Sequence, residues 1–380
     1  MLSVLQILFG FALLLFGGEL LVRGASRLAC AAGIPPLIVG LTIVAFCTSA
    51  PELAVSSYSA FQGQADLAIG NVVGSCICNI LCVLGIAAIL TPLMIDAKLI
   101  RWETPLLVAI SAIFYLFARD GYLERWQGAL MFLGLIAYIA WTVVQARREK
   151  ASVQRELESV LREATDLTEE EESELREPRS LGIAFALLLV GLGLLMLGSN
   201  QLVAGAVRIA EQLGVSELMI GLTILAIGTS LPEIAISVIA ASKGKVDLAV
   251  GNVIGSNIFN ILGVLGLTAI FAPQGVPVTS QAINFDIPLI VFLPLLCLPI
   301  FLTGMRITRR EGILFLGGYV AYLLCLIVTA RSPEWGGRFR LLVFGIGGPI
   351  VLVASFTLAY LDWKQRRAMS DNEGDGSAAS

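Results

Sequence analysis

Long apolar stretches separated by short polar connections run along almost the whole chain. A helix needs about 20 mainly apolar residues to cross the hydrocarbon core of a membrane. Eleven segments meet this requirement, and the pattern therefore predicts an all-α polytopic membrane protein. The segments lie near residues 2–22, 36–60, 66–90, 103–118, 126–145, 181–202, 217–241, 247–271, 283–303, 311–330 and 341–361.

The composition leads to the same class. Hydrophobic residues make up 57% of the chain, charged residues only 14%, and the mean hydropathy is +0.86. Soluble domains have about 45–50% apolar and about 25% charged residues. The chain has no histidine, which removes the usual zinc, haem and imidazole-base chemistries. A net charge of −4 offers no basic surface for nucleic acid.

One long hydrophilic stretch divides the chain into two halves. Residues 146–179 carry 7 basic and 11 acidic residues, a charge pattern typical of a solvated linker. We expect residues 1–145 and 180–330 to form the two transmembrane halves. Residues 331–363 are expected to add one more transmembrane helix, and 364–380 to form a disordered tail.

The two halves repeat each other. Residues 40–85 align without a gap with residues 221–266, and 28 of these 46 positions are identical. Because each half has five spans, an odd number, the second copy must enter the membrane in the opposite orientation. The expected fold is two inverted five-helix repeats, a ten-helix core, plus an eleventh C-terminal transmembrane helix. Asp286, near the start of the ninth span, has no evident partner in the first half.

Basic residues predict the orientation. With the N-terminus outside, the inside connections hold 19 Lys and Arg residues and the outside connections hold 6. The positive-inside rule therefore favours an external N-terminus, with the linker and the C-terminus in the cytoplasm. The first span has no basic region before it and is expected to be retained. We expect a multi-pass protein of the cell (inner) membrane.

The chemistry lies in the second and seventh spans, which read GLTIVAFCTSAPELAVS and GLTILAIGTSLPEIAIS. Pro51 and Pro232 each remove helical hydrogen bonds and free backbone carbonyls in mid-membrane. Next to them stand Glu52 and Glu233, and an ionisable group at this depth costs on the order of a few kcal/mol. No Lys or Arg is placed at this depth by sequence, so the natural partner is a cation from solution.

Hydroxyl and amide side chains occur near the two glutamates in the sequence, at intervals that place them on one face of each helix. Four spans thus present polar faces in an apolar environment, and oxygen ligands of this kind suit hard cations such as Ca²⁺ and Na⁺. The faces consist of Thr42, Ser49, Ser56, Asn71, Ser75 and Asn79 in the first half and Thr223, Ser230, Ser237, Asn252, Ser256 and Asn260 in the second.

These duplicated motifs resemble the two repeats of the sodium/calcium exchanger group in the calcium/cation antiporter superfamily, in its prokaryotic form without a calcium-sensing domain. The resemblance covers residues 40–90 and 221–271. It implies a ten-helix secondary antiporter that exchanges Ca²⁺ for Na⁺ by alternating access at a midplane site.

The resemblance also implies the ligands. Ca²⁺ would bind the carboxylates of Glu52 and Glu233, together with the carbonyls of Thr48 and Thr229. Sodium sites would add the side chains of Ser49, Ser75, Ser230 and Ser256 and the carbonyls of Ala45 and Ala226, and Asn79 and Asn260 would line the centre. Cys47 and Cys76 depart from the family pattern, which usually has Gly and often has Asn at these places.

Three other functions are alternatives to Na⁺/Ca²⁺ exchange. An H⁺/Ca²⁺ antiporter on the same fold is the closest, because both glutamates can carry protons. A cation channel would use the same oxygens but has no need of two inverted copies. An intramembrane enzyme would place its two carboxylates in unequal environments, so no enzyme activity and no cofactor are expected. The expected partners are Ca²⁺, Na⁺ and the lipid bilayer, without nucleic acid and without an obligatory protein partner.

Overall fold

The computed structural model describes residues 2–32, 34–61, 65–148, 178–214, 226–272 and 275–377. Ten helices in these ranges are long and apolar enough to cross a membrane, which confirms an all-α polytopic membrane protein. The α-helices are Leu2–Ala32, Pro36–Val39, Ala45–Phe61, Ala65–Cys78, Leu84–Leu90, Thr104–Ala118, Arg125–Arg148, Pro178–Gln212, Ala226–Gly228, Leu231–Ser242, Val246–Ile258, Gly266–Phe271, Ile287–Leu302, Arg309–Arg331, Pro333–Arg340 and Gly348–Ser377, and the π-helical segments are Gly40–Val44, Asn79–Val83, Leu99–Glu103, Phe259–Leu265, Ala282–Asp286 and Leu341–Gly347.

The seventh span and the linker are described only in part. A shorter apolar helix, Leu231–Ser242, lies where the seventh span is predicted, and residues 217–225 of that span, including Thr223, lie outside the described residues. Most of the predicted linker, residues 149–177, lies outside them as well.

The first and sixth spans pack against each other along their length through glycines. A Cβ atom on Gly17 would lie 2.9 Å from the Gly191 carbonyl oxygen, and one on Gly198 would lie 2.8 Å from the Gly10 carbonyl oxygen. Small residues of this kind let helix backbones approach closely in membranes. Gly10 and Gly17 correspond to Gly191 and Gly198 in the repeat. Because the lower-numbered glycine of one helix contacts the higher-numbered glycine of the other, the equivalent helices run antiparallel.

Two small antiparallel sheets repeat this symmetry. Strand β1, Leu93–Met94, pairs with β4, Arg306–Ile307, and β2, Tyr122–Leu123, pairs with β3, Val276–Pro277. β1 follows the third span and β3 follows the eighth, its equivalent in the second repeat. The chain crosses the membrane once between β1 and β2, so the two sheets lie at opposite faces of the membrane. The connections that follow the third and the eighth spans therefore also lie at opposite faces. This arrangement is that of an inverted repeat.

The core and the periphery use different spans. The third and eighth spans, which carry the asparagine and serine stripes, are the most buried of the ten. The eleventh span, Pro333–Leu361, lies on the outside of the bundle, with an exposed apolar surface. Its helix continues to Ser377, which differs from the disordered tail expected from residue 364. The helix-forming residues 364–369, KQRRAM, extend the preceding helix without a break.

Candidate functional site

Glu52 belongs to a polar cluster inside the apolar bundle. Its side chain is 0% exposed and projects from the helix Ala45–Phe61. The carboxyl oxygen Oε1 accepts a hydrogen bond from Ser75 Oγ at 3.3 Å, whereas Oε2 has no hydrogen-bond partner. A buried polar atom without a partner costs about 1–3 kcal/mol. The free oxygen therefore marks a place where a ligand can bind.

Glu233 is the second buried carboxylate of the cluster. It lies in the first turn of the helix Leu231–Ser242, is 0% exposed, and neither of its carboxyl oxygens has a hydrogen-bond partner. The carboxyl groups of Glu233 and Glu52 interact electrostatically. Within the described part of the chain, neither forms an ion pair with Lys or Arg. The two carboxyl groups are thus buried in the bundle with no side-chain cation from the described residues to neutralise them.

The helix that carries Glu233 is interrupted just before it. The chain is helical over Ala226–Gly228, turns at Thr229 and Ser230, and becomes helical again at Leu231. Carbonyl groups at the end of a helix lose their helical partners, and this interruption lies next to the candidate carbonyl ligands Ala226 and Thr229. Ser199 Oγ, on the sixth span, donates to the Gly228 carbonyl oxygen at 2.6 Å.

The helix that carries Glu52 is continuous. It runs through Pro51, directly after the π-helical segment Gly40–Val44. The predicted interruption is therefore present in the described part of the second repeat and absent from the first. Pro51 still offers no N–H to the carbonyl of Cys47 four residues earlier. The Ala45 carbonyl oxygen lies 3.3 Å from Thr48 Oγ1.

Hydrogen bonds between the two repeats join the polar faces. Ser230 Oγ donates to Ser75 Oγ at 3.3 Å, which links the seventh span to the third. Thr48 Oγ1 lies 3.0 Å from Ser256 Oγ and 3.2 Å from Asn252 Oδ1, which links the second span to the eighth. Ser75, Ser230 and Ser256, three of the predicted hydroxyl groups, therefore lie where the two halves meet.

Asparagines fill the space between the third and eighth spans. Asn79 Nδ2 donates to Asn257 Oδ1 at 3.0 Å, and Asn79 Oδ1 has no partner. Asn260 is 0% exposed, and neither polar atom of its amide has a partner. Asn257 was missed by the sequence analysis because its repeat equivalent is Cys76, so it stands outside the duplicated stripe. Its position directly after Ser256 is the one signal that could have suggested it.

One supporting hydrogen bond occurs in both repeats. Asn71 Nδ2 donates to Ser56 Oγ at 3.0 Å, and its equivalent Asn252 donates to Ser237 Oγ at 3.1 Å. These bonds tie each glutamate-bearing helix to the helix that follows it. The same hydrogen bond thus supports the glutamate-bearing helix in each half.

Ser49 faces a cavity at the side of the cluster. Its Oγ atom is buried without a hydrogen-bond partner. The cavity has a volume of about 190 Å³ and is otherwise apolar, with Phe46, Phe132 and Phe259 among its lining residues. Phe46 is exposed at the outer surface of the bundle, so this cavity lies between the candidate ligand Ser49 and the lipid.

The cluster can bind hard cations. Its unpartnered oxygens are Ser49 Oγ, Glu52 Oε2, Asn79 Oδ1, both carboxyl oxygens of Glu233 and Asn260 Oδ1. Oxygen ligands with a net charge of −2 match Ca²⁺, or Na⁺ in greater number. The described residues contain no cluster of three or more His, Cys, Asp and Glu side chains, and the unpartnered oxygens of Ser49, Asn79 and Asn260 are neutral.

The sequence and fold match one family. The family model described as sodium/calcium exchanger protein matches residues 2–144 and 183–328. The chain is 40% identical over 321 residues to the putative antiporter CaxA of Alkalimonas amylolytica, with 84% of this chain and 97% of that protein aligned. It is 31% identical over 348 residues to the sodium/calcium exchanger MaX1 of Methanosarcina acetivorans, with 85% and 98% aligned.

A solved structure has the same fold. The sodium-calcium exchanger NCX_Mj superposes with a TM-score of 0.70 at 31% sequence identity. The superposition covers 86% of this chain and 99% of that one. The family model ends at residue 328, so the eleventh span lies beyond the unit that the family shares.

Proposed function

Because this chain belongs to the sodium/calcium exchanger protein family, it is a multi-pass cation/Ca²⁺ antiporter, and we propose that it exchanges Ca²⁺ for Na⁺ at the cluster around Glu52 and Glu233. The observation that carries the proposal is the set of unpartnered oxygens on these two buried carboxylates. An ionisable group in the membrane marks an ion pathway by default.

We assign Ca²⁺ to the two carboxylates. Glu52 and Glu233 together neutralise one divalent cation, and the carbonyls of Thr48 and Thr229 complete its shell. The Ser75 hydroxyl, which donates to Glu52 Oε1, keeps this carboxylate oriented while Oε2 remains free for the ion.

Sodium uses overlapping oxygens. Na⁺ has a smaller charge than Ca²⁺ and needs fewer charged ligands. We therefore expect it to bind where hydroxyl and carbonyl oxygens outnumber carboxylates. We assign these positions to the side chains of Ser49, Ser75, Ser230 and Ser256 and to the carbonyls of Ala45 and Ala226, with Asn79 and Asn260 lining the space between them. Because the sets overlap, Na⁺ and Ca²⁺ compete.

The inverted repeat supplies the alternation. In such folds one unit rocks against the other around a fixed midplane site. With the site empty, two uncompensated carboxylates resist the dry, occluded state through which the protein must pass. With either Ca²⁺ or the set of Na⁺ ions bound, the site is close to neutral, and the protein can pass through the occluded state from one access state to the other. This difference couples the two ion flows.

The orientation is proposed from the charges of the connections. An external N-terminus, a cytoplasmic linker at 146–179 and a cytoplasmic C-terminus follow from the positive-inside rule, in a cell (inner) membrane. The same assignment places β1 and β4 at the cytoplasmic face and β2 and β3 outside. We divide the chain into halves 1–145 and 180–330, with 331–363 as an additional span.

The test is ⁴⁵Ca²⁺ uptake into proteoliposomes loaded with Na⁺, compared with liposomes that contain no Na⁺ but have an acidic interior. Uptake driven by the Na⁺ gradient alone supports the proposal. Uptake driven by the proton gradient alone overturns Na⁺ coupling and assigns the counter-ion to protons on the same glutamates. Uptake that survives in a Glu52→Gln/Glu233→Gln variant overturns the site. Glu334→Gln, at an exposed carboxylate paired with Arg338, is the matched control.

A further inference from the structure

Glu103 is a third buried carboxylate, and it lies outside the proposed ion site. It ends the π-helical segment Leu99–Glu103 at the start of the fourth span and is 0% exposed. Tyr138, on the fifth span, donates its hydroxyl hydrogen to Glu103 Oε2 at 2.9 Å. Lys98 lies at the entrance of the same span near Glu103, and its ammonium group is buried without a hydrogen-bond partner and forms no ion pair with Glu103 within 4 Å. A carboxylate, a tyrosine and a cation thus lie together at one membrane face.

Asp286 has a similar setting at the other end of the molecule, although it is only partly buried. It ends the π-helical segment Ala282–Asp286 at the start of the ninth span. Tyr322, on the tenth span, donates to Asp286 Oδ1 at 3.2 Å. The ring of Phe285 stacks on the ring of Tyr322, with their centroids 6.1 Å apart.

These two units are repeat equivalents. Residues 98–108 align with residues 281–291, where the sequences WETPLLV and FDIPLIV correspond. In this alignment Glu103 corresponds to Asp286. Tyr138 corresponds to Tyr322 when one more residue is inserted into the second half between the two pairs. Equivalent residues of the two halves are therefore separated by more positions here than in the ungapped alignment of residues 40–85 with 221–266. This corrects the expectation that Asp286 has no partner in the first half.

The two units differ in the source of the cation. Lys98 aligns with Gln281, so the ninth span brings no positive charge to this position. Instead Arg340, the last residue of the helix Pro333–Arg340 at the start of the eleventh span, lies near Asp286. The two side chains form no ion pair within 4 Å, so their charges attract each other without direct contact. Its guanidinium carbon lies 5.0 Å from the centroid of the Phe285 ring, where a cation is attracted by the ring face.

We propose that the eleventh span supplies, through Arg340, the cation that the second repeat lacks at Gln281. A carboxylate inside a membrane protein needs a partner charge, and removal of one partner leaves the other uncompensated. Arg340 is therefore a positioning residue that acts through Asp286 and holds the eleventh span on the ninth. The ion that the protein transports does not enter this argument, so the proposal goes beyond the proposed function and stands independently of it.

The test compares the melting temperatures of full-length variants in detergent. Arg340→Gln is expected to lower the melting temperature by about 2–4 °C, the size of a modest loss of stability. Gln281→Lys restores it in the Arg340→Gln background, because the lysine occupies the place that Lys98 holds in the first repeat. Arg338→Gln is the matched control, since Arg338 lies in the same segment, is exposed and pairs with Glu334.

A second comparison keeps the test decisive if Gln281→Lys does not fold. Once Asp286→Asn has removed the carboxylate charge, Arg340→Gln is expected to lower the melting temperature by less than it does with Asp286 present, because only the contact with the Phe285 ring remains to be lost. The proposal is overturned if Arg340→Gln behaves like Arg338→Gln. It is also overturned if Arg340→Gln lowers the melting temperature equally with and without the Asp286 carboxylate.

Discussion

The hydroxyl groups of Ser75 and Ser230 lie 3.3 Å apart, although 155 residues separate them along the chain. Ser75 belongs to the third span and Ser230 to the interruption of the seventh, and Ser75 also donates to Glu52. The second half of the duplicated sequence therefore contributes a hydroxyl group to the hydrogen bonds around the carboxylate of the first half. A change in the position of one repeat must alter the oxygens available to an ion bound by both.

The first prediction concerns the two carboxylates separately. Glu52→Gln and Glu233→Gln should each reduce Na⁺-driven Ca²⁺ uptake to the background of empty liposomes, because one remaining carboxylate cannot neutralise a divalent ion. Neither change should unfold the protein, since an amide removes an uncompensated buried charge. Size-exclusion profiles and ⁴⁵Ca²⁺ uptake test both statements. A single variant with normal uptake would remove its residue from the site.

A second prediction separates sodium from calcium. Ser75→Ala removes a hydroxyl assigned to Na⁺ but leaves both carboxylates, so the Na⁺ concentration needed for half-maximal exchange should rise several-fold, more than that of Ca²⁺. Ser111→Ala is the control, because Ser111 is equally buried and lies in the fourth span, which contributes none of the proposed ligands. Equal shifts for both ions would show that Ser75 acts only by orienting Glu52.

Much of the fold and of the cluster could be predicted because the same pattern of apolar and polar residues occurs in both halves of the sequence. Apolar length indicated the spans, and the repeated glutamates indicated where polar faces of different helices meet. Positions at which the halves differ were not predictable in this way. Asn257 faces Asn79 but is Cys76 in the first half, and the helix around Pro51 stays continuous because surrounding helices, rather than local proline chemistry, decide its path.

A third prediction tests this unmatched asparagine. Asn257→Ala leaves Asn79 Nδ2 without its acceptor at 3.0 Å, and an unpaired buried amide costs about 1–3 kcal/mol. The melting temperature should fall and transport should weaken. Asn284→Ala, at an exposed amide that donates to the Ser280 carbonyl, should change neither. If Asn257→Ala is as stable as the unmodified chain, the Asn79–Asn257 bond does not contribute to the cluster.

The last prediction concerns the antiparallel contact of the first and sixth spans. Gly191→Val would place its Cβ atom 2.8 Å from the Gly17 carbonyl oxygen, a distance that requires the two backbones to separate. Because close backbone contact is the main attraction between these helices in lipid, we expect loss of monodisperse protein after solubilisation. Gly193→Val provides a control two residues away in the same helix, since a Cβ atom there meets no other atom within 4 Å. Similar elution profiles and melting temperatures for the two variants would contradict the proposed role of the glycine contact, whereas a defect confined to Gly191→Val would establish that the two equivalent spans must touch for the repeats to assemble.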